Sequence, residues 1–107
     1  MPKQARFTLI FAPEVVQHLR VIELKYHSLI RTTIEQQLAS APDKETRNRK
    51  ILEQPAPFGA TWELRCGPGN SFRVFYEVDR KQRFVRILAI GVKERNRLLI
   101  GREEFGI

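Results

Sequence analysis

The spacing of hydrophobic residues changes twice along the chain. Over residues 6–11 apolar and polar positions alternate, which predicts a half-buried strand. After Pro13 the apolar residues recur every three or four positions to about Ala39, which predicts amphipathic helix with the proline in its first turn. One helix of that length would measure about 40 Å. We therefore expect a helical hairpin that breaks near residues 25–28, with Ser28 as the N-cap of its second helix.

The second half of the chain returns to strand-like alternation. Residues 41–60 contain three prolines, a glycine and the charged run DKETRNRK, which we interpret as a basic loop with at most one helical turn over residues 47–52. WELRC and FRVFYEVD then alternate strictly, and each is followed by a turn, GPGNS and DRKQ. FVRILAIGV is apolar on both faces, as a central strand would be. The tail after it is basic and then acidic, with several apolar residues.

The order β-α-α-β-β-β predicts an α+β fold. We expect a single domain over residues 1–107, with a small antiparallel, meander-like sheet of about four strands packed on an N-terminal helical hairpin. The residues predicted to face the helices are Phe7, Leu9, Phe11, Trp62, Leu64, Phe72, Val74 and Tyr76.

The opposite face of that sheet carries the first candidate chemistry. If Leu64 and Phe72 share the core side, Arg65 and Arg73 project together from the other side. Two adjacent guanidinium groups repel each other unless an anion lies between them, and the arginine fork matches a phosphate. Glu63, Phe75 and Glu77 share this face. Alternatively, the two carboxylates simply pair with the arginines on a solvated surface.

Composition narrows the function classes. Lys and Arg number 19 against 12 Asp and Glu, a net charge of +7, and a small basic domain attracts polyanions, of which nucleic acid is the common one. A membrane surface or an acidic protein fits the same charge. The single cysteine, Cys66, has no internal disulfide partner, and no spacing is typical of a metal site. With no membrane-span pattern and no secretory signal, we expect a cytoplasmic protein without metal or cofactor.

The segments WELRCGPGNSFRVFYEVD and RILAIGVKERNRLLIG, in this order, resemble the RelE/ParE toxin superfamily. Members often carry a W-x-L-R strand, a turn, an (F/Y)-R-V-(F/Y)-Y strand and an apolar strand that ends in G-x-(K/R). The resemblance covers nearly the whole chain and is strongest over residues 62–101. It implies the toxin of a type II toxin–antitoxin (plasmid stabilisation) system. Its partner would be a cognate antitoxin, and it would bind operator DNA only through that antitoxin.

In the RelE branch the resemblance implies an endoribonuclease, an mRNA interferase that inhibits translation by cleaving mRNA on the ribosome without a metal. Arg73 falls where RelE-like nucleases place the arginine that holds the scissile phosphate, and Lys93 falls where they place a second arginine. Others in the superfamily use a carboxylate as base, so Glu63 and Glu77 are the candidates here. The predicted catalytic residues are Arg73, Lys93, Glu63 and Glu77.

The residues expected to bind RNA share a basic or aromatic side chain outside the predicted core: Arg65, Arg47, Arg49, Lys50, Phe75, Arg95 and Arg97. The chain departs from the family pattern at Thr61 and Glu63, where some relatives carry basic catalytic residues, and at Leu99, where some carry a tyrosine. Two alternatives therefore stay open. One is the ParE branch, which has the same fold and targets DNA gyrase without being an enzyme. The other is a degenerate binding module. His18 and His27 are expected on the helix side, away from Arg73.

Overall fold

The strand that is apolar on both faces forms the centre of a seven-stranded sheet. The computed structural model describes residues 6–105, so the first five and last two residues of the predicted domain lie outside the described range. The strands are β1 (Thr8–Phe11), β2 (Arg49–Ile51), β3 (Trp62–Cys66), β4 (Phe72–Asp79), β5 (Phe84–Glu94), β6 (Arg97–Ile100) and β7 (Glu103–Phe105). Their order across the sheet is β2-β3-β4-β5-β6-β7, and β1 pairs with β5.

The predicted strand count of about four is wrong, but β2 to β7 run as an antiparallel meander, as predicted. The region interpreted as a basic loop contains β2, and the tail forms β6 and β7. These strands have only three or four residues, too few to display a clear alternation. β1 pairs parallel to the first part of β5, whereas every other pair is antiparallel. The sheet is therefore mixed, although the α+β class is as predicted.

The helical region is broken, as expected, but earlier than expected. α1 spans Glu14–Arg20 and α2 spans His27–Leu38, and a short 3-10 turn at Leu24–Tyr26 leads into α2. The break thus lies at residues 21–23, where Glu23 is extended. Within this break, the carbonyl oxygen of Ile22 is hydrogen-bonded to Nε2 of His27 at 2.8 Å. Ser28 lies inside α2 and is not its N-cap.

Both helices pack on one face of the sheet, and this face holds the main core. α1 contacts β5 and α2 contacts β3. The buried side chains between the helices and the sheet are Phe7, Val15, Ile22, Ile30, Ile34, Leu38, Trp62, Leu64, Cys66, Phe72, Val74, Tyr76, Val85, Ile87 and Ile90. Leu9 packs against them only in part, and Phe11, which was predicted to be in the core, is 45% exposed. Phe11 ends β1 and lines an open groove together with residues of both helices.

A second, smaller core covers part of the other face. There β6 and β7 place Leu98, Ile100 and Phe105 against Phe75 and Ala89. Gly91 on β5 makes this close approach possible, because a Cβ built there would lie 2.9 Å from both the Leu99 carbonyl oxygen and Ile100 Cγ1. The C-terminal strands therefore bury a surface that the sequence pattern left open.

Candidate nucleic-acid interface

A cluster of two arginines and one glutamate lies where β3 and β4 pair on the face away from the helices. Arg65 is directly opposite Arg73 in the register, as the alternation predicted. Glu63 bridges them: Nε of Arg65 donates to Oε1 at 2.9 Å, and Nη1 of Arg73 donates to Oε2 at 3.4 Å. Glu63 is buried, and the Arg73 side chain is only 11% exposed. The carboxylate thus stands where a bound anion would otherwise separate the two guanidinium groups.

Next to this cluster is a small pocket lined only by polar groups and glycine. Its volume is about 250 Å³, and its lining residues are Gly69, Asn70, Ser71, Arg73, Lys93 and Arg95. Nε of Arg73 donates to the Asn70 carbonyl at 2.9 Å, which fixes one edge of the guanidinium. The Lys93 amide donates to the Ser71 carbonyl at 2.7 Å. Three cations therefore surround the pocket, and Glu63 pairs with only one of them, so the pocket suits an anion.

The GPGNS turn is the part of this pocket that sequence reasoning missed. Gly67, Gly69 and Asn70 all have positive φ, so the turn curls tightly at the end of β3. It brings the Asn70 carbonyl to Arg73 and the Ser71 carbonyl to Lys93. Its glycines and asparagine were the available signal, since these residues favour left-handed backbone.

Two residues expected to bind RNA are buried instead. Phe75 is 1% exposed in the second core, so its ring is covered on both faces and its predicted role as a stacking aromatic is wrong. Arg49 lies opposite Leu64 and therefore points to the helix side. There its guanidinium donates to Oε1 of Gln37 and, at 3.0 Å, to the Lys44 carbonyl. Its assignment to an RNA-binding surface is wrong because it anchors the loop after α2.

Glu77 is also separated from the cluster. It lies four residues beyond Arg73 on β4, about 13 Å along the strand. Its carboxylate accepts a hydrogen bond from Nη1 of Arg86 at 3.5 Å, with both side chains more than a third exposed. The expectation that Glu77 shares a site with Arg73 is therefore wrong. Of the two candidate carboxylates, only Glu63 contacts the predicted phosphate-binding arginine.

The remaining predicted RNA-binding residues are scattered. Lys50 on β2 is opposite Glu63 and half-buried, whereas Arg47 is exposed in the loop before β2. Arg95 lines the polar pocket. Arg97 is exposed on β6, and its Nε donates to Oε1 of Glu104 at 3.2 Å. The structure thus brings Arg65, Arg73, Lys93 and Arg95 to one end of the sheet.

A larger cleft of about 840 Å³ opens on the helix side of the same end. Its charged lining residues are Arg20, Glu23, Lys93, Glu94, Arg97 and Arg102. Lys93 and Ser71 line both this cleft and the polar pocket. Leu99, where some relatives carry a tyrosine, lines the cleft. Arg20 was not predicted here because it is the last residue of an amphipathic helix and no motif surrounds it.

The two histidines and the cysteine have structural positions: His18 and Cys66 are buried, and His27 is hydrogen-bonded to the backbone. Nδ1 of His18 accepts the Ile90 amide hydrogen at 3.2 Å, at the point where β5 is free between β1 and β6. This requires a neutral imidazole, and burial lowers the pKa of His18 although the Glu14 carboxylate opposes that shift. Burial raises the pKa of Cys66 to about 11. Neither histidine is hydrogen-bonded to Arg73: His18 contacts the Ile90 amide and His27 the Ile22 carbonyl. Within residues 6–105, no three His, Cys, Asp or Glu side chains group as metal ligands.

The fold is similar to that of a chain in the crystal structure of the toxin–antitoxin complex RelBE2 from Mycobacterium tuberculosis. The two share 18% sequence identity with a TM-score of 0.58, and the match covers 87% of this chain and 98% of the other. No protein-family model and no curated protein sequence matches the chain. The chain therefore has the fold of a toxin–antitoxin component. None of the helices in the described residues is long and apolar enough to cross a membrane.

Proposed function

We propose that this protein is the toxin of a type II toxin–antitoxin system and acts as a RelE-like, metal-independent mRNA endoribonuclease. The observation that carries the proposal is the polar pocket around Arg73, Lys93 and Arg95. It combines an immobilised guanidinium with two further cations on a fold similar to a component of RelBE2. A pocket of this charge stabilises a phosphate on which negative charge increases during the reaction.

In the proposed reaction the 2′-hydroxyl of one nucleotide attacks its own 3′-phosphate. The new bond closes a 2′,3′-cyclic phosphate, and the bond to the 5′-oxygen of the next nucleotide breaks. Arg73 holds the phosphate oxygens and Lys93 neutralises the charge that develops on them. When a phosphate replaces the Glu63 carboxylate between the two arginines, that carboxylate takes the proton of the attacking 2′-hydroxyl. Water or Lys93 donates a proton to the departing 5′-oxygen.

We further propose that a cognate antitoxin neutralises the protein in the cytoplasm. Support comes from the RelBE2 neighbour, which is a toxin–antitoxin complex, and from apolar side chains that stay exposed on the monomer. Phe11, Val16, Leu24 and Leu29 are each at least 44% exposed, and Phe11 and Val16 line an apolar groove between the two helices. Apolar surface of this kind is typical of a protein–protein interface.

The test is expression of the intact chain from a tightly repressed promoter in bacteria, with transcripts mapped by primer extension. We expect growth arrest and new 5′ ends inside translated codons. Both should disappear in Arg73→Gln and persist in the control Arg83→Gln, which removes an exposed arginine at the opposite end of β4 and β5. Arrest with intact transcripts and DNA damage would instead indicate a ParE-like gyrase inhibitor. No arrest with folded protein present would indicate a degenerate binding module.

A further inference from the structure

The cleft on the helix side and the polar pocket meet at a shared rim. Ser71 and Lys93 form this rim, and a backbone hydrogen bond of 2.7 Å joins them. The polar pocket lies on the face away from the helices, where Arg73 projects. The cleft lies on the helix side, with Val92 and Leu99 in its floor. A ligand bound in the pocket therefore reaches the cleft by passing over one pair of residues.

The cleft combines an apolar floor with a cationic border. Ile22, Phe72, Val92 and Leu99 contribute the floor, and Arg20, Arg97 and Arg102 stand around it. Among the described residues, Arg20 donates a side-chain hydrogen bond only to the Gln17 amide oxygen, at 3.4 Å, and neither Arg20 nor Arg102 forms an ion pair. Of the two acidic residues in the lining, Glu23 pairs with Lys25 at 3.7 Å. The cleft therefore keeps a net positive charge.

We propose that this cleft is a second binding site for the same polynucleotide, and that it holds the single-stranded sugar–phosphate backbone next to the nucleotide in the polar pocket. The inference rests on the proposed function, because it takes the pocket as the site of the scissile phosphate. Arg20 and Arg102 contact the flanking phosphates, and the apolar floor receives the attached sugars and bases. Lys93, at the rim, lies between the two sites.

Charge and continuity favour RNA over an acidic protein segment as the occupant. A protein segment would need the cleft alone, whereas a strand with a phosphate at every nucleotide matches cations on both sides of the rim. The apolar floor also suits unpaired bases, which can turn away from the backbone in a single strand. A double helix is too stiff to bend sharply over a rim only one residue pair across.

The experiment measures binding of the full chain to a 12-nucleotide RNA with 2′-O-methyl groups, which cannot be cleaved, by fluorescence anisotropy over a range of KCl concentrations. The test variant is Arg20→Gln with Arg102→Gln. The matched control is Lys81→Gln with Arg83→Gln, which removes the same charge from exposed residues of the β4–β5 turn. We expect the test variant to bind roughly tenfold more weakly at 0.1 M KCl. The slope of log K against log[KCl] should fall by about 1.4, since each lost phosphate contact in a single strand contributes about 0.7.

A 2′-O-methyl dinucleotide separates the two sites, because its single phosphate fills the polar pocket and it carries no flanking phosphate for the cleft. Its binding should depend on Arg73 and be equal in the test and control variants. Equal loss of 12-nucleotide binding in the test and control pairs would overturn the inference, since charge alone would then explain it. Failure of the proposed function has a different signature, which is intact transcripts in cells that express the wild-type chain.

Discussion

Glu63→Gln removes the one negative charge between Arg65 and Arg73. Two guanidinium groups on directly opposed residues would then face each other on a sheet face where Arg73 is only 11% exposed. Removing one partner from a buried ion pair costs about 3–5 kcal/mol. Because the Arg65 side chain is 39% exposed and partly screened by water, we expect about 3 kcal/mol, at the lower end of that range. In a domain of this size, that corresponds to a fall of about 12–24 °C in Tm.

The chain offers a matched control in Glu77→Gln. Glu77 also accepts a hydrogen bond from one arginine, Arg86, but their side chains are 37% and 41% exposed. An exposed pair contributes about 0–1 kcal/mol. Urea unfolding followed by the fluorescence of Trp62, the single tryptophan, measures both variants. Equal losses in the two variants would refute the argument that Glu63 holds a buried pair of arginines together.

Inorganic phosphate provides a second arm of the same experiment. If Glu63 occupies the place of an anion, phosphate should bind between the arginines more readily in Glu63→Gln than in the wild type. Binding to the folded state alone raises the free energy of unfolding with ligand concentration. We therefore expect phosphate to recover part of the lost stability in Glu63→Gln but not in Glu77→Gln. No difference between the two would count against the site as an anion site.

Three further predictions concern the core. Burial lowers the pKa of His18 in the folded protein. The neutral imidazole therefore stabilises the fold fully above its unfolded pKa of about 6.5, and this stabilisation is lost as the pH falls below that value. The urea midpoint should drop between pH 7 and pH 5 in the wild type and drop less in His18→Gln. Parallel pH curves would contradict this. Gly91→Ala should cost about 1–3 kcal/mol in urea unfolding, since the new Cβ meets the Leu99 carbonyl, and a neutral result would mean that β6 moves away freely. Cys66 should react with a thiol reagent at pH 8 only after urea is added, because it is buried with a pKa of about 11; fast labelling of folded protein would contradict its burial.

Much of the fold and part of the site could be predicted because alternation is reliable where strands are long. FRVFYEVD has eight residues in β4, and its parity correctly placed Arg73 on the face away from the helices and opposite Arg65. The same parity placed Glu63 beside them. The pairing of Glu63 with both arginines could not be chosen from sequence, because a bound phosphate and a carboxylate satisfy the same charges.

The errors have local physical causes. In β5 the register shifts so that Tyr76 faces Ile87 while Phe75 faces Ala89, which leaves Leu88 as an extra residue and changes which side chains share a face. A strand that is apolar on both faces gives no sign of such a bulge. Phe75 was left exposed in the prediction because only tertiary structure brings β6 and β7 over it. Arg49 is buried although it lies in a run of charged residues, and nothing in the sequence of that run distinguishes a buried arginine from an exposed one.

The parallel pairing of β1 with β5 has a consequence for how the chain folds. Thr8 pairs with Phe84, so β1 depends on a strand that is synthesised much later than β1 itself. At about 5–20 residues per second, a ribosome takes several seconds to make the chain between them. During that interval β1 has no partner strand and α1 has no sheet to pack on, since α1 contacts β5. The nascent chain therefore presents apolar segments to its surroundings until β5 emerges, and such non-local pairing also slows refolding of the isolated protein.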